Sequence, residues 1–210
     1  MIKGILLIFD PGNEMDKVVA RGESGWFVLF VRFLPVVLLI SVVQSFAMVH
    51  WGKYQSAIRG IKHFTPTEGV AYGVFEVVVS ILVVLISAFF LQSGMKAFGK
   101  EATFEKALVT MGYGLLPLIC VKILNVIPWM TPWIPWAMGV YFAWRVLYRA
   151  VPRVMKPEHA YALGVFIMAA TIATLCTGAA CMTRFLAMEG KFAWWDSIVA
   201  FVGNLLKISG

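Results

Sequence analysis

Apolar residues fall into long blocks separated by short polar stretches. Five blocks run from 15 to 26 residues, around the length of about 20 that crosses roughly 30 Å of hydrocarbon as a helix. They predict membrane-spanning helices over Trp26–His50, Val70–Gln92, Ala102–Ile127, Ile134–Tyr148 and Ala160–Met182. The third and fourth are joined by an aromatic, proline-rich turn, IPWMTPWIPW. The expected fold is all-α: a polytopic membrane protein with five transmembrane helices and short interfacial helices in both tails. The chain divides into an N-terminal interfacial segment (1–25), a transmembrane domain (26–182) and a C-terminal tail (183–210) whose Phe192–Ile208 stretch suits a short interfacial helix.

Local signals refine the elements. In the N-terminal segment, Ile2, Ile5, Leu6, Ile8 and Phe9 suit one amphipathic turn or two, and Glu14–Arg21 a second short helix. That segment reads equally as interfacial or as an ordered cap on the bundle. Thr65-Pro66-Thr67-Glu68 is a helix start, with Thr65 as cap, Pro66 at the first position and Glu68 reaching back. Pro35, Pro117 and Pro128 stand as structural hinges, because each removes a backbone donor. The small residues of Met168–Met182 permit close helix contact.

Composition supports the membrane reading. The chain is 60% hydrophobic and 14% charged, against about 25% charged in soluble domains, and its mean hydropathy is +0.83. The net charge of +7 is spread over loops with no dense basic and aromatic surface, so nucleic acid is not expected as a partner. Alternation through five spans puts Lys3, Lys17, Arg21, Lys96, Lys100, Lys106, Arg145, Arg149, Arg153 and Lys156 on one side, and Lys53, Arg59, Lys62, Arg184, Lys191 and Lys207 on the other. The excess predicts a cytoplasmic N-terminus.

Within the spans, Glu76 and Lys122 are the polar pair best suited to carry function. Each lies near enough to a span end to snorkel, and a salt bridge between them is the alternative. Arg32 is expected to snorkel. Arg145, Arg149, Arg153 and Lys156 form a basic exit suited to anionic lipid or an acidic partner. Cys120, Cys176 and Cys181 do not suggest a disulfide framework. With Met168 and Met182 they offer soft ligands of the kind copper(I) prefers, but Cys176 and Cys181 are five residues apart and do not stack on one helix face. No metal, cofactor or catalytic constellation is expected: phosphate loops, HExxH and GxSxG are absent, and His50, His63 and His159 are scattered.

The chain resembles the Yip1 domain superfamily, including the bacterial YohC-like inner-membrane proteins. The likeness is carried by Phe9-Asp10-Pro11, by Tyr113, Leu115, Leu116 and Pro117, by the Ile127-Pro128 turn, and by Tyr141 with a basic exit before Met155, Pro157 and Ala160. Arg149 or Ala150 stands where the family pattern has a glycine. The resemblance implies five transmembrane helices, a cytoplasmic N-terminus, a location in the cell inner membrane and no enzymatic chemistry. Eukaryotic relatives act in vesicle traffic with small membrane-bound GTPases and with one another. The expected function is a non-enzymatic scaffold or adaptor that binds lipid or partner proteins, either as a homo-oligomer or with other membrane proteins. The alternative is a small oligomeric channel or transporter, whose pore would bring Gln44, Glu76, Thr110, Lys122, Asn125, Thr171 and Thr174 to a common cavity.

Overall fold

The computed structural model describes residues 10–55, 59–98, 102–192 and 195–208. The amphipathic turn expected around Ile2–Phe9 lies outside them.

Helix α1 (Pro11–Arg21) starts where the Asp10 side chain accepts the Asn13 backbone N–H at 3.3 Å. It stops at Gly22, whose φ of 58° is the left-handed cap conformation. Met15 and Val18 are buried in the main core, so α1 lies on the bundle as a cap.

Helix α2 (Gly25–His50) is capped by Ser24, which accepts the Phe27 N–H. Its segment Val28–Phe33 widens into a π-helical turn immediately before Leu34 and Pro35. A proline lacks the N–H that a preceding carbonyl needs and crowds that carbonyl. The wide turn sits in the stretch that Pro35 disturbs.

Two short strands follow, β1 (Lys53–Gln55) and β2 (Gly60–Lys62), paired antiparallel with Tyr54 opposite Ile61. The sequence reading has a loop here. Helix α3 (Pro66–Ala97) begins with the expected capping box: Thr65 Oγ1 accepts the Glu68 N–H at 3.2 Å, and Glu68 Oε2 accepts the Thr65 N–H at 2.7 Å. It runs for 32 residues, about 48 Å, from the expected start at Pro66 to Ala97, beyond the expected end at Gln92.

Helix α4 (Phe104–Val126) is the axis of the bundle, with 83% of its most apolar window buried by its neighbours. Its last turn, Lys122–Val126, tightens to 3-10 geometry. Helix α5 (Trp133–Ala150) returns antiparallel along α4. Their approach rests on two glycines: Gly114 faces Leu147, and Gly139 faces the backbone of Leu118. A π-helical turn (Val151–Met155) ends α5, with Lys156 at a φ of 46°. Helix α6 (His159–Met188) and a short amphipathic helix, α7 (Trp195–Ile208), complete the described chain.

One expectation is overturned. Among the described residues four helices are long and apolar enough to cross a membrane, not five: α2, α3, α4 and α6. Helix α5 is not among them. It has 18 residues, about 27 Å of helix, and its sequence mixes Arg145 and Arg149 with Trp and Tyr, which are far less apolar than the Val, Ile and Leu of the other four. The charge argument for orientation, built on alternation through five spans, loses that footing. The four spans do expose apolar rows, such as Val70, Val74, Val78, Leu82 and Ile86 on α3. Such rows, on helices whose opposite faces are also buried, belong in lipid.

Candidate functional site

Three charged side chains meet inside the bundle. Glu76 lies on α3, about three turns from its capped start, on the face with Ala71, Tyr72, Ser80 and Val84. Lys122 sits where α4 tightens into its last turn. Arg184 lies on the buried face of α6 with Ala173, Thr177, Ala180, Cys181, Ala187 and Met188. Their exposures are 2%, 6% and 7%, respectively.

Lys122 Nζ donates to Glu76 Oε1 at 2.8 Å. Arg184 Nη1 donates to both Glu76 oxygens, at 2.5 Å to Oε2. Arg184 Nε is held by the Ala180 carbonyl at 2.9 Å, which fixes the guanidinium on its own helix. Ser80 Oγ donates to Glu76 from one turn along α3 at 3.4 Å. Gln44 reaches from α2 to donate to the Lys122 carbonyl at 2.5 Å. One carboxylate thus ties α3, α4 and α6 together, and a neighbouring amide adds α2. Two cations share that carboxylate, so the cluster keeps one net positive charge out of water. Such a cluster is costly to bury and costly to break.

Little space remains around it. The cavity bounded by Gln44, Tyr72, Glu76, Lys122, Trp136 and Arg184 holds about 20 Å³. A second void, beside Ser80, Lys122 and Thr177, holds about 10 Å³. Each has room for about one water at most. Trp136 walls the first by donating its indole N–H to Thr177 Oγ1 at 3.2 Å. The polar residues a pore would need do not converge. Gln44, Glu76, Lys122 and Asn125 line the small cavity. Thr110 instead donates to the Lys106 carbonyl at 2.8 Å, Thr174 donates to the Ala170 carbonyl at 2.7 Å, and Thr171 is exposed.

Beside the cluster, the β-hairpin plugs one end of the bundle. Lys53 donates to the carbonyls of Asn125 and Ile127, at 2.7 and 3.0 Å, and closes the end of α4. Gln55 does the same for α6 through the Met188 carbonyl at 2.5 Å. Burial pushes the Lys53 ammonium down to about 8. Tyr54 N–H donates to the Pro128 carbonyl at 3.1 Å, so the hairpin also holds the turn before α5.

A different polar group ties down the opposite end. Glu23 accepts from the Tyr113 hydroxyl and pairs with Arg32 at 3.4 Å and Arg21 at 3.6 Å. Arg32 therefore reaches back toward the end of the bundle, where a protein carboxylate receives it. Nearby, Arg153 pairs with Asp16 and so fastens α1 to the turn after α5.

The structure brings Glu76 and Lys122 together at a buried contact, with neither reaching a membrane surface. Arg145, Arg149 and Arg153 line a surface cleft beside α1, which Lys156 does not join. Pro117 is buried within α4, Pro35 follows the π-helical turn, and Pro128 sits in the turn that the hairpin holds. Sequence reasoning misses Arg184, because the fifth apolar block ends at Met182 and places Arg184 with the loop cations, whereas the helix runs on to Met188. The row of small residues at Ala173, Thr177 and Ala180 continues at helical spacing to Arg184 and Ala187, and that periodicity was the available signal. Among the described residues no group of three His, Cys, Asp or Glu side chains is placed to hold a metal ion.

Comparison with known proteins identifies a family. The model of the Yip1 domain family matches residues 5–203, nearly the whole chain. Proteins of this family are non-catalytic membrane scaffolds. No curated protein and no solved structure matches the chain.

Proposed function

We propose, from the premise that this chain belongs to the Yip1 domain family, that it is a multi-pass membrane scaffold whose buried ion cluster is a lock between helices and not part of a solute path. The observation that carries this reading is the pairing of Glu76 with Lys122 and Arg184 around a cavity of about 20 Å³. A conducting or alternating-access site needs charges that face water or exchange partners. Here each cation is already committed to the carboxylate, and the space admits no hydrated ion.

The same reading gives the two ends of the bundle different work. Lys17, Arg21, Lys96, Lys106, Arg145, Arg149, Arg153 and Lys156 gather at the end that carries α1, while Arg59, Lys62 and Lys191 belong to the other. The positive-inside bias supports a cytoplasmic position for the α1 end, in a membrane such as the inner membrane of a bacterium. That end supplies the contacts to anionic lipid and to other membrane proteins, further copies of this chain included. Thiol labelling of a Lys17→Cys variant from outside sealed cells tests the orientation, and ready labelling overturns it.

Solute flux in proteoliposomes tests the scaffold reading itself. A panel of protons, monovalent cations and copper(I) is expected to show no selective flux above empty vesicles. Selective flux that disappears in K122M would replace the scaffold by a transporter.

A further inference from the structure

The cleft between α1 and α5 has a volume of about 580 Å³ and two kinds of wall. Tyr141, Trp144, Arg145, Tyr148 and Arg149 follow one another at helical spacing on the outward face of α5, opposite the buried Val140, Ala143, Val146, Leu147 and Ala150. The aromatic part is rigid. Trp144 donates its indole N–H to Thr174 Oγ1 of α6 at 3.0 Å, and the Tyr148 ring meets Phe166 edge-on at 5.3 Å. The α1 side brings two carboxylates, and both are engaged. Asp10 accepts from the backbone and side chain of Asn13, and Asp16 holds Arg153. Arg145 and Arg149 are exposed, and among the described residues neither has a carboxylate partner. Arg149 instead lies 5.8 Å from the Tyr148 ring centre.

We propose that this cleft is a binding site for one anionic glycerophospholipid, with Arg145 and Arg149 holding the headgroup phosphate and the Tyr141–Trp144–Tyr148 face receiving the upper acyl chains. The ligand must satisfy two features at once. Guanidinium groups suit phosphate oxygens in paired hydrogen bonds. Exposed rings of Tyr and Trp beside them suit the level at which headgroup meets hydrocarbon. A soluble anion uses only the first feature, whereas a phospholipid uses both. The cleft also explains why α1 is fastened by Arg153 and not by Arg145 or Arg149: the bond to Asp16 forms a wall while the other two guanidiniums stay open to a ligand.

The inference deepens the reading of the basic end as a lipid contact, and its test does not depend on the absence of flux. The full-length protein in neutral detergent is mixed with equimolar phosphatidylglycerol and phosphatidylcholine, and retained lipid is counted by native mass spectrometry. The wild type is expected to retain phosphatidylglycerol preferentially. R145Q/R149Q is expected to lose that preference by about 30-fold, since each basic residue beside an anionic lipid contributes about fivefold. R59Q/K62Q, which removes the same charge from the opposite end, is expected to keep it. Thermal unfolding verifies that both variants are folded. Equal retention of the two lipids by the wild type overturns the site. An undiminished preference in R145Q/R149Q also overturns it, as does an equal loss in R59Q/K62Q, which is the mark of charge alone. Displacement of the lipid by millimolar inorganic phosphate assigns the cleft to a free anion and overturns the lipid.

Discussion

Glu76→Gln leaves two cations facing each other with no carboxylate between them. Lys122 and Arg184 both donate to Glu76 and both are buried, so the variant strands two uncompensated charges. Removing one partner of a buried pair costs about 3–5 kcal/mol. For a chain of this size that corresponds to a fall in melting temperature of about 6–20 °C, at roughly 2–4 °C per kcal/mol. Lys122→Met is a milder change. It removes one of two cations, leaves a one-to-one Glu76–Arg184 pair, and replaces an aliphatic stem by another of similar length. Its expected cost is about 0–2 kcal/mol, because apolar replacements in buried ionic clusters are often tolerated. The double variant leaves Arg184 as a lone cation without Lys122 to repel it. It should therefore be more stable than the sum of the single effects predicts, by about 1–3 kcal/mol. Thermal or dodecyl-sulfate unfolding in detergent, measured for wild type, E76Q, K122M and E76Q/K122M, reads the coupling directly. Effects that add to within about 0.5 kcal/mol, or a K122M more damaging than E76Q, would falsify the shared-carboxylate account.

Two further outcomes follow from the hairpin and the α4–α5 contact. Lys53 sheds its proton near pH 8 in the folded state, against about 10.5 for an ordinary lysine, because it is buried. Between those values the unfolded chain binds more protons, so unfolding free energy should rise with pH from about 8 to 10.5 by roughly 1–3 kcal/mol and then level off. K53M should lack that slope, and an unchanged profile in K53M refutes the assignment. Gly139→Ala would place a methyl 2.9 Å from the Leu118 Cα. Because backbone cannot swing aside, the expected loss is about 1–3 kcal/mol in the same unfolding assay, and a neutral effect would mean the helices part freely there.

The sequence was informative where the physics is local. The length of an apolar block sets a span, and α2, α3, α4 and α6 all lie on blocks marked out in that way. Thr65 and Glu68 form the capping box that their spacing requires. Ile134–Tyr148 has the look of a span without meeting the membrane criterion, because its bulk is aromatic and Arg145 and Arg149 shorten the apolar stretch. Helices also outrun their apolar blocks. Helix continues to Met188, which turns Arg184 from a loop cation into a core one. The hairpin was invisible because Lys53 and Gln55 look like solvent residues until the carbonyls at the ends of α4 and α6, far away in the chain, are brought to them. Helix rotation is likewise non-local: periodicity places Glu76 on a face, but only packing decides that Lys122 and Arg184 share that face with it.

The order in which these three charges appear along the chain has a consequence for synthesis. Glu76 enters the membrane first, within α3, when no cation of the cluster yet exists. A carboxylate in that position costs about 2.5–3.5 kcal/mol at a helix centre and less near an end. The length of α3, 32 residues with 21 of them after Glu76, lets that helix slide toward the aqueous side and keep the acid wet while it waits. Lys122 then arrives at the end of α4 and neutralises it. Arg184 comes last, near the end of α6, and only then is the three-helix lock complete. Assembly of the bundle is thereby tied to completion of the chain: until α6 is made, Glu76 has one of its two partners and the third helix of the lock is missing.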